Sequence, residues 1–140
     1  MVIRFIRRRL SDWQPSYRAV RKLYRTHIGE NGARALRLLR SWLSPTQRLQ
    51  FDANRSFDVT GCDSGRRYRI HWGKVSNVYE IDQADEPITG LCFAPAGNLP
   101  EGDIMLAQKI ALETSEHKTL ALANRFLPRF YAPGRQASMR

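Results

Sequence analysis

A chain of 140 residues, 42% hydrophobic and 26% charged, can bury about 68% of its unfolded surface as one domain, so it needs neither metal nor disulfide to fold. Two cysteines make no disulfide framework and fit free thiols in a reducing compartment. The formal charge of +10 is one-sided: residues 1–50 hold 12 Lys and Arg against 2 Asp and Glu, and residues 51–140 hold 11 against 11. No apolar run approaches the roughly 18–20 residues of a membrane span. Residues 1–10 alternate Arg with apolar residues and lack the continuous apolar core of a secretory signal.

The basic half reads as helices. Val2, Phe5, Ile6 and Leu10 fall at helical spacing, with Arg4, Arg7, Arg8 and Arg9 around the rest of the turn. Ser11 or Asp12 can cap a second helix with Pro15 near its first turn; Tyr17, Val20, Leu23 and Tyr24 form its apolar side, and Arg18, Arg21, Lys22 and Arg25 its basic side. Gly29-Glu30-Asn31-Gly32 is expected to break it, and Asn31 to cap a third helix over residues 33–43. The stripe of that helix is Leu36, Leu39 and Leu43, with Trp42 beside it and Arg34, Arg37 and Arg40 outside. In Ser44-Pro45-Thr46-Gln47, Ser at N-cap, Pro at the first position and Gln at the third predict a capping box opening a short helix to about residue 53.

Four strands are expected next. Phe57-Asp58-Val59-Thr60 is β-branched and aromatic, and Gly61-Cys62-Asp63-Ser64-Gly65 is a reversal. Residues 67–72 alternate, with Tyr68, Ile70 and Trp72 on one face and Arg67, Arg69 and His71 on the other. Residues 75–81 and 88–93 complete an antiparallel meander around an acidic loop that ends at Pro87. Pro100 suits a first helical position, with Glu101 and Asp103 at the positive helix end. Ile104, Leu106, Ala107, Ile110 and Ala111 form the stripe that would cover the sheet. The polar run 114–118 should kink this helix or separate two, residues 119–126 return to helical character, and residues 127–140 read as an irregular basic tail. The fold class is therefore α+β: a basic helical segment (1–50), then a four-stranded antiparallel meander with an amphipathic helix packed on it (51–126), then the tail.

The residues Val59-Thr60-Gly61, Ser64-Gly65, Tyr68-Arg69-Ile70, Asn77-Val78-Tyr79, Leu91-Cys92-Phe93-Ala94-Pro95, Leu99-Pro100-Glu101-Gly102-Asp103-Ile104-Met105-Leu106-Ala107-Gln108-Lys109 and Ala123-Asn124-Arg125-Phe126 carry a resemblance. Over about residues 44–126 the chain resembles small uncharacterised proteins of α-proteobacteria and their phages. The resemblance implies a bacterial or phage source and a compact domain, and no mechanism.

The charge points to a polyanion. Each phosphate neutralised on duplex DNA releases counterions, with a salt slope of about −0.9 per contact. Tyr17, Tyr24 and Trp42 can stack on exposed bases if the partner is single-stranded or RNA. The plainer reading makes these aromatics core and the arginines a solvated face, and GC-rich coding alone can favour Arg, which outnumbers Lys 19 to 4. A helix-turn-helix over residues 18–43 would place Gly29 and Gly32 in its turn. Residues 2–10 are amphipathic and arginine-rich, as interfacial membrane anchors are, and the acid-poor segment also fits an organellar transit peptide. Cys62, Cys92, His27, His71 and His117 show no ligand-pair spacing, so no metal is expected. Ser64, His71 and Asp63 lack the strand-to-helix elbow of a hydrolase, Glu113 and Glu116 read as an exposed pair, and Gly61 and Gly65 lack a phosphate-loop Lys.

The expected function is a non-enzymatic binding or assembly module of the bacterial cytoplasm, without cofactor. Arg4, Arg7, Arg8, Arg9, Arg18, Arg21, Lys22, Arg25, Arg34, Arg37 and Arg40 would contact nucleic acid. The alternative is a phage-derived or structural protein whose arginines pair with acidic patches on a protein partner. Contact with an anionic membrane surface ranks below both, and so does an enzyme built on Asp63, Ser64, Arg67, Arg69 and His71.

Overall fold

The computed structural model describes residues 29–94 and 97–128. In chain order these form α1 (Gly29–Trp42), α2 (Pro45–Asn54), β1 (Ser56–Thr60), β2 (Arg67–His71), β3 (Val78–Ile81), β4 (Pro87–Cys92), α3 (Glu101–Leu122) and β5 (Asn124–Phe126). The two helices expected before residue 29 and most of the expected tail lie outside the described residues.

Local signals set α2. The Ser44 hydroxyl accepts from the Gln47 amide at 3.2 Å, and the Gln47 side chain accepts from the Ser44 amide at 3.0 Å, completing the capping box behind Pro45. The helix stops at Arg55, whose φ of 56° is left-handed and whose N–H returns to the Phe51 carbonyl at 2.9 Å. The start of α1 differs from expectation: the helix begins at Gly29, so Asn31 lies inside it and does not cap it, while the helix expected to break at residues 29–32 lies outside the described residues. Gly32 and Ala35 are buried on one face, and that face admits α3 closely: a Cβ on Gly102 would sit 2.8 Å from the Ala35 carbonyl. Helix–helix packing here outweighs the weak helix preference of glycine.

The sheet has five strands in sequence order, each pair antiparallel, where the sequence reading expects four. The fifth falls in residues 119–126, expected to be helical: α3 ends at Leu122, and Asn124–Phe126 pair with Gly90–Cys92. Glycine at position 90 makes this possible. Any Cβ there would collide with the Phe126 ring, which lies over Gly90 and meets Tyr79 edge-on at 5.6 Å. β3 starts at Val78 and not at Val75, because buried Asn77 ties the preceding loop down. Its side-chain amide donates to the His71 carbonyl at 3.0 Å and exchanges two 2.9 Å hydrogen bonds with Gln108 of α3.

One sheet face carries Phe57, Val59, Tyr68, Ile70, Val78 and Leu91 into a core shared with Met105, Leu106 and Leu112 of α3 and with Leu39, Leu43 and Phe51. The stripe of α3 is not the expected one. Ile104 and Leu106 are buried, but Ala107 and Ile110 are exposed, and Gln108, Lys109 and Glu116 are buried in their stead. The helix is covered by the sheet on one side and by α1 on another, so buried positions spread round it and include polar ones. The expected kink is present: Ser115 has φ −150° and ψ 45°, outside helical values.

The free edge of β1 is covered by α2. The outward-pointing Asp58 amide donates to Gln50 Oε1 at 2.9 Å, and its carbonyl accepts from Gln47 Nε2 at 2.9 Å.

Candidate functional site

The charge-bearing surface begins with the packing of α1. Leu39 and Leu43 are buried and Leu36 packs against the core, so this helix holds a fixed orientation. Its opposite side is solvent-exposed and carries Arg34, Arg37, Leu38, Ser41 and Trp42. Arg34, Leu38 and Trp42 follow at four-residue steps and so line one stripe, with Arg37 and Ser41 alongside. Trp42 is 57% exposed and Leu38 46%. Neither Arg34 nor Arg37 has an acidic partner among the described residues, whereas Arg40 pairs with Asp52 of α2. Arg48 Nε donates to the Leu43 carbonyl at 3.2 Å, just past the end of α1.

Of the candidate nucleic-acid residues, then, Arg34 and Arg37 share an open face and Arg40 is engaged at the α1–α2 junction. Arg4, Arg7, Arg8, Arg9, Arg18, Arg21, Lys22 and Arg25 lie outside the described residues, as do Tyr17 and Tyr24. Sequence reasoning passed over Leu38, because a single exposed leucine carries no signature.

The arginines at β2 are neutralised. On the outer face Asp58 takes Arg69 in a fork, at 2.7 Å from Nε and 3.0 Å from Nη2, and accepts from Arg67 Nη2 at 3.1 Å. Arg67 also reaches Asp85 at 2.7 Å, and Arg66 faces Glu80 at 3.7 Å. These pairs tie up three of the 11 basic residues of this half of the chain.

A second polar cluster surrounds Glu116, which is 1% exposed just past the Ser115 kink. Its carboxylate accepts from the amides of Asp63 and Ser64, each at 2.8 Å, from the Ser64 hydroxyl, and from the Tyr68 hydroxyl at 2.6 Å. Burial pushes the carboxyl up, but the hydrogen bonds from Ser64, Tyr68 and Asp63 outweigh it and hold it down at about 2. Burial and the same carboxylate push the Tyr68 hydroxyl up. Gly61 lacks a side chain where the Glu116 carboxylate sits, so the turn needs glycine there for space, while Gly65 supplies the positive φ of 71°. The sequence reading takes Glu116 for an exposed helical residue; its partners lie 48 to 53 positions away, beyond any local pattern.

These placements separate the residues considered for catalysis. The Ser64 hydroxyl is committed to Glu116, and the Asp63 carboxylate accepts from the His117 amide at 2.9 Å. His71 lies at the far end of β2, about 13 Å along the strand from Arg67, with its ring edge-on to Tyr79 at 5.3 Å. Burial and the adjacent Arg69 push its pKa down. Cys62, Asp63 and Glu116 bring one ligand-type atom each to within 4.8 Å of one another. All three are already acceptors, since Cys62 Sγ faces the Glu116 amide at 3.5 Å, and a cation would have to displace those donors.

No family model, curated protein or solved structure matches the chain. Among the described residues no helix is long and apolar enough to cross a membrane.

Proposed function

We propose that this protein is a non-enzymatic binding module whose basic N-terminal half engages nucleic acid, acting in the bacterial cytoplasm. The observation that carries the reading is the contrast between two groups of arginines. Arg66, Arg67 and Arg69, at the start of β2 and along it, are matched by Glu80, Asp58 and Asp85, while Arg34 and Arg37 stand exposed and unmatched among the described residues. Unmatched guanidinium groups on a rigid helix, within a segment of 12 basic and 2 acidic residues, supply the field that attracts a phosphate backbone. The sheet and α3 serve as the rigid body that holds α1.

The test keeps the chain whole, because truncation at residue 43 would remove Leu39 and Leu43 from the core. Purified protein, stripped of nucleic acid in high salt, is titrated with labelled DNA and RNA at two salt concentrations. Binding should weaken steeply with salt. Arg34→Glu with Arg37→Glu should reduce the logarithmic salt slope on duplex by about 1.8, two contacts at about 0.9 each. Absence of binding at low salt would overturn the proposal. An acidic protein partner, recovered in a stoichiometric complex that survives nuclease, would then be the better account of the same arginines.

A further inference from the structure

We infer that the exposed face of α1 is a stacking platform for single-stranded nucleic acid, with Trp42 receiving a base and Arg34 and Arg37 receiving phosphates. This rests on the nucleic-acid reading above and adds the strandedness of the ligand.

Three features carry it. First, the two large apolar side chains left in water on α1, Trp42 and Leu38, share the stripe of Arg34, while the apolar positions of the opposite face are buried. Second, Trp42 is the last residue of α1, and the chain leaves through Leu43, Ser44 and Pro45, so no further helical turn covers the indole. An indole at such a corner offers a π-face that every base can meet, which makes the contact tolerant of sequence. Third, the spacing suits a strand. Eight residues separate Arg34 from Trp42, about 12 Å along the helix. That is about three to four nucleotides at a stacked rise of about 3.4 Å.

A duplex is the poorer fit. Its bases are stacked on one another, and a helix that reads the major groove offers Asn, Gln or Arg to base edges. Here a tryptophan and a leucine stand where such a helix would present hydrogen-bonding groups. A duplex would therefore meet only the arginines.

The experiment uses the full chain and fluorescence anisotropy with labelled oligothymidylate, oligouridylate and a mixed-sequence duplex of equal length. Trp42→Ala should weaken binding to both single strands about tenfold and leave the duplex unchanged. Trp42→Phe should restore most of the loss, and Trp42→Leu, which keeps apolar bulk without a ring, should not. Arg34→Ala with Arg37→Ala should weaken all three ligands and flatten the salt dependence. Thermal melting checks that each variant is folded, and Trp42→Leu with Trp42→Phe preserves the comparison if the alanine variant is not. If the wild type binds with salt dependence but Trp42→Ala and Trp42→Leu bind single strands as tightly as it does, the platform is wrong and the nucleic-acid reading stands. If the wild type binds none of the three at low salt, both fall.

Discussion

Glu116 shows how one side chain can organise a distant turn. Its carboxylate gathers two backbone amides and two hydroxyls from residues 63–68, and the kink at Ser115 sets the angle at which it enters. Truncation to Ala would leave the buried Tyr68 hydroxyl and the part-buried donors of Asp63 and Ser64 without this acceptor, and should destabilise the protein by about 3 kcal/mol in urea unfolding. Glu116→Gln, which keeps the shape but not the charge, should cost less. Gly61→Ala pushes a methyl into the carboxylate, so it should be less damaging in the Glu116→Ala background than alone, a coupling that a double-mutant cycle reads directly. The acid limb has a definite sign. The carboxyl titrates at about 2 folded and near 4.5 unfolded, so the unfolded chain binds more protons between those values. Its contribution is complete above about pH 4.5 and is lost as pH falls through about 2. His71 acts in the same direction at higher pH: its folded value is lowered from 6.5, so stability starts to decline as pH drops below 6.5.

At the scale of elements, β5 hangs on one aromatic contact. Phe126 fills the space above Gly90 and meets Tyr79 edge-on, while Asn124 and Arg125 are exposed. Phe126→Ala should therefore detach the strand with a loss of about 2 kcal/mol. Amide hydrogen exchange at residues 124–126 should rise towards that of free peptide, while Val59 and Ile70 in the sheet centre stay protected. The same contact shows why β5 escaped the sequence reading. Ala121-Leu122-Ala123 favours helix locally, and nothing nearby announces that a glycine more than thirty positions back has left room for a ring. The elements that were legible carry their own signals: the capping box at Ser44, alternation through Arg67 to His71, and the polar run around Ser115. The stripe of α3 was not, because Gln108 and Glu116 are buried by partners in loops far away in sequence. On α1 the candidate face was half legible. The buried leucine stripe follows from spacing, but the pairing of Arg40 with Asp52, while Arg34 and Arg37 have no acidic partner among the described residues, depends on where α2 packs.

The whole molecule keeps its charge apart from its framework. Residues 51–140 carry no net charge, so a bound polyanion would meet the N-terminal half, and loss of Arg34 and Arg37 should change affinity and salt response with little effect on folding. The framework also covers a strand edge that could otherwise pair with a second molecule. Gln50→Ala would strip the cover from the Asp58 amide; the expected result is a stability loss of about 1 kcal/mol and larger species in light scattering at high concentration, absent from the wild type. The glutamine cover has a further consequence in the arithmetic of assembly. A fibre grows only if every unit offers two pairing edges, one for each neighbour. With Gln47 and Gln50 closing the β1 side, the β5 side is the one strand edge left for backbone pairing among the described residues, and two units that met through it would have no described edge left to offer a third. Strand-to-strand association through the described sheet would therefore end at a pair.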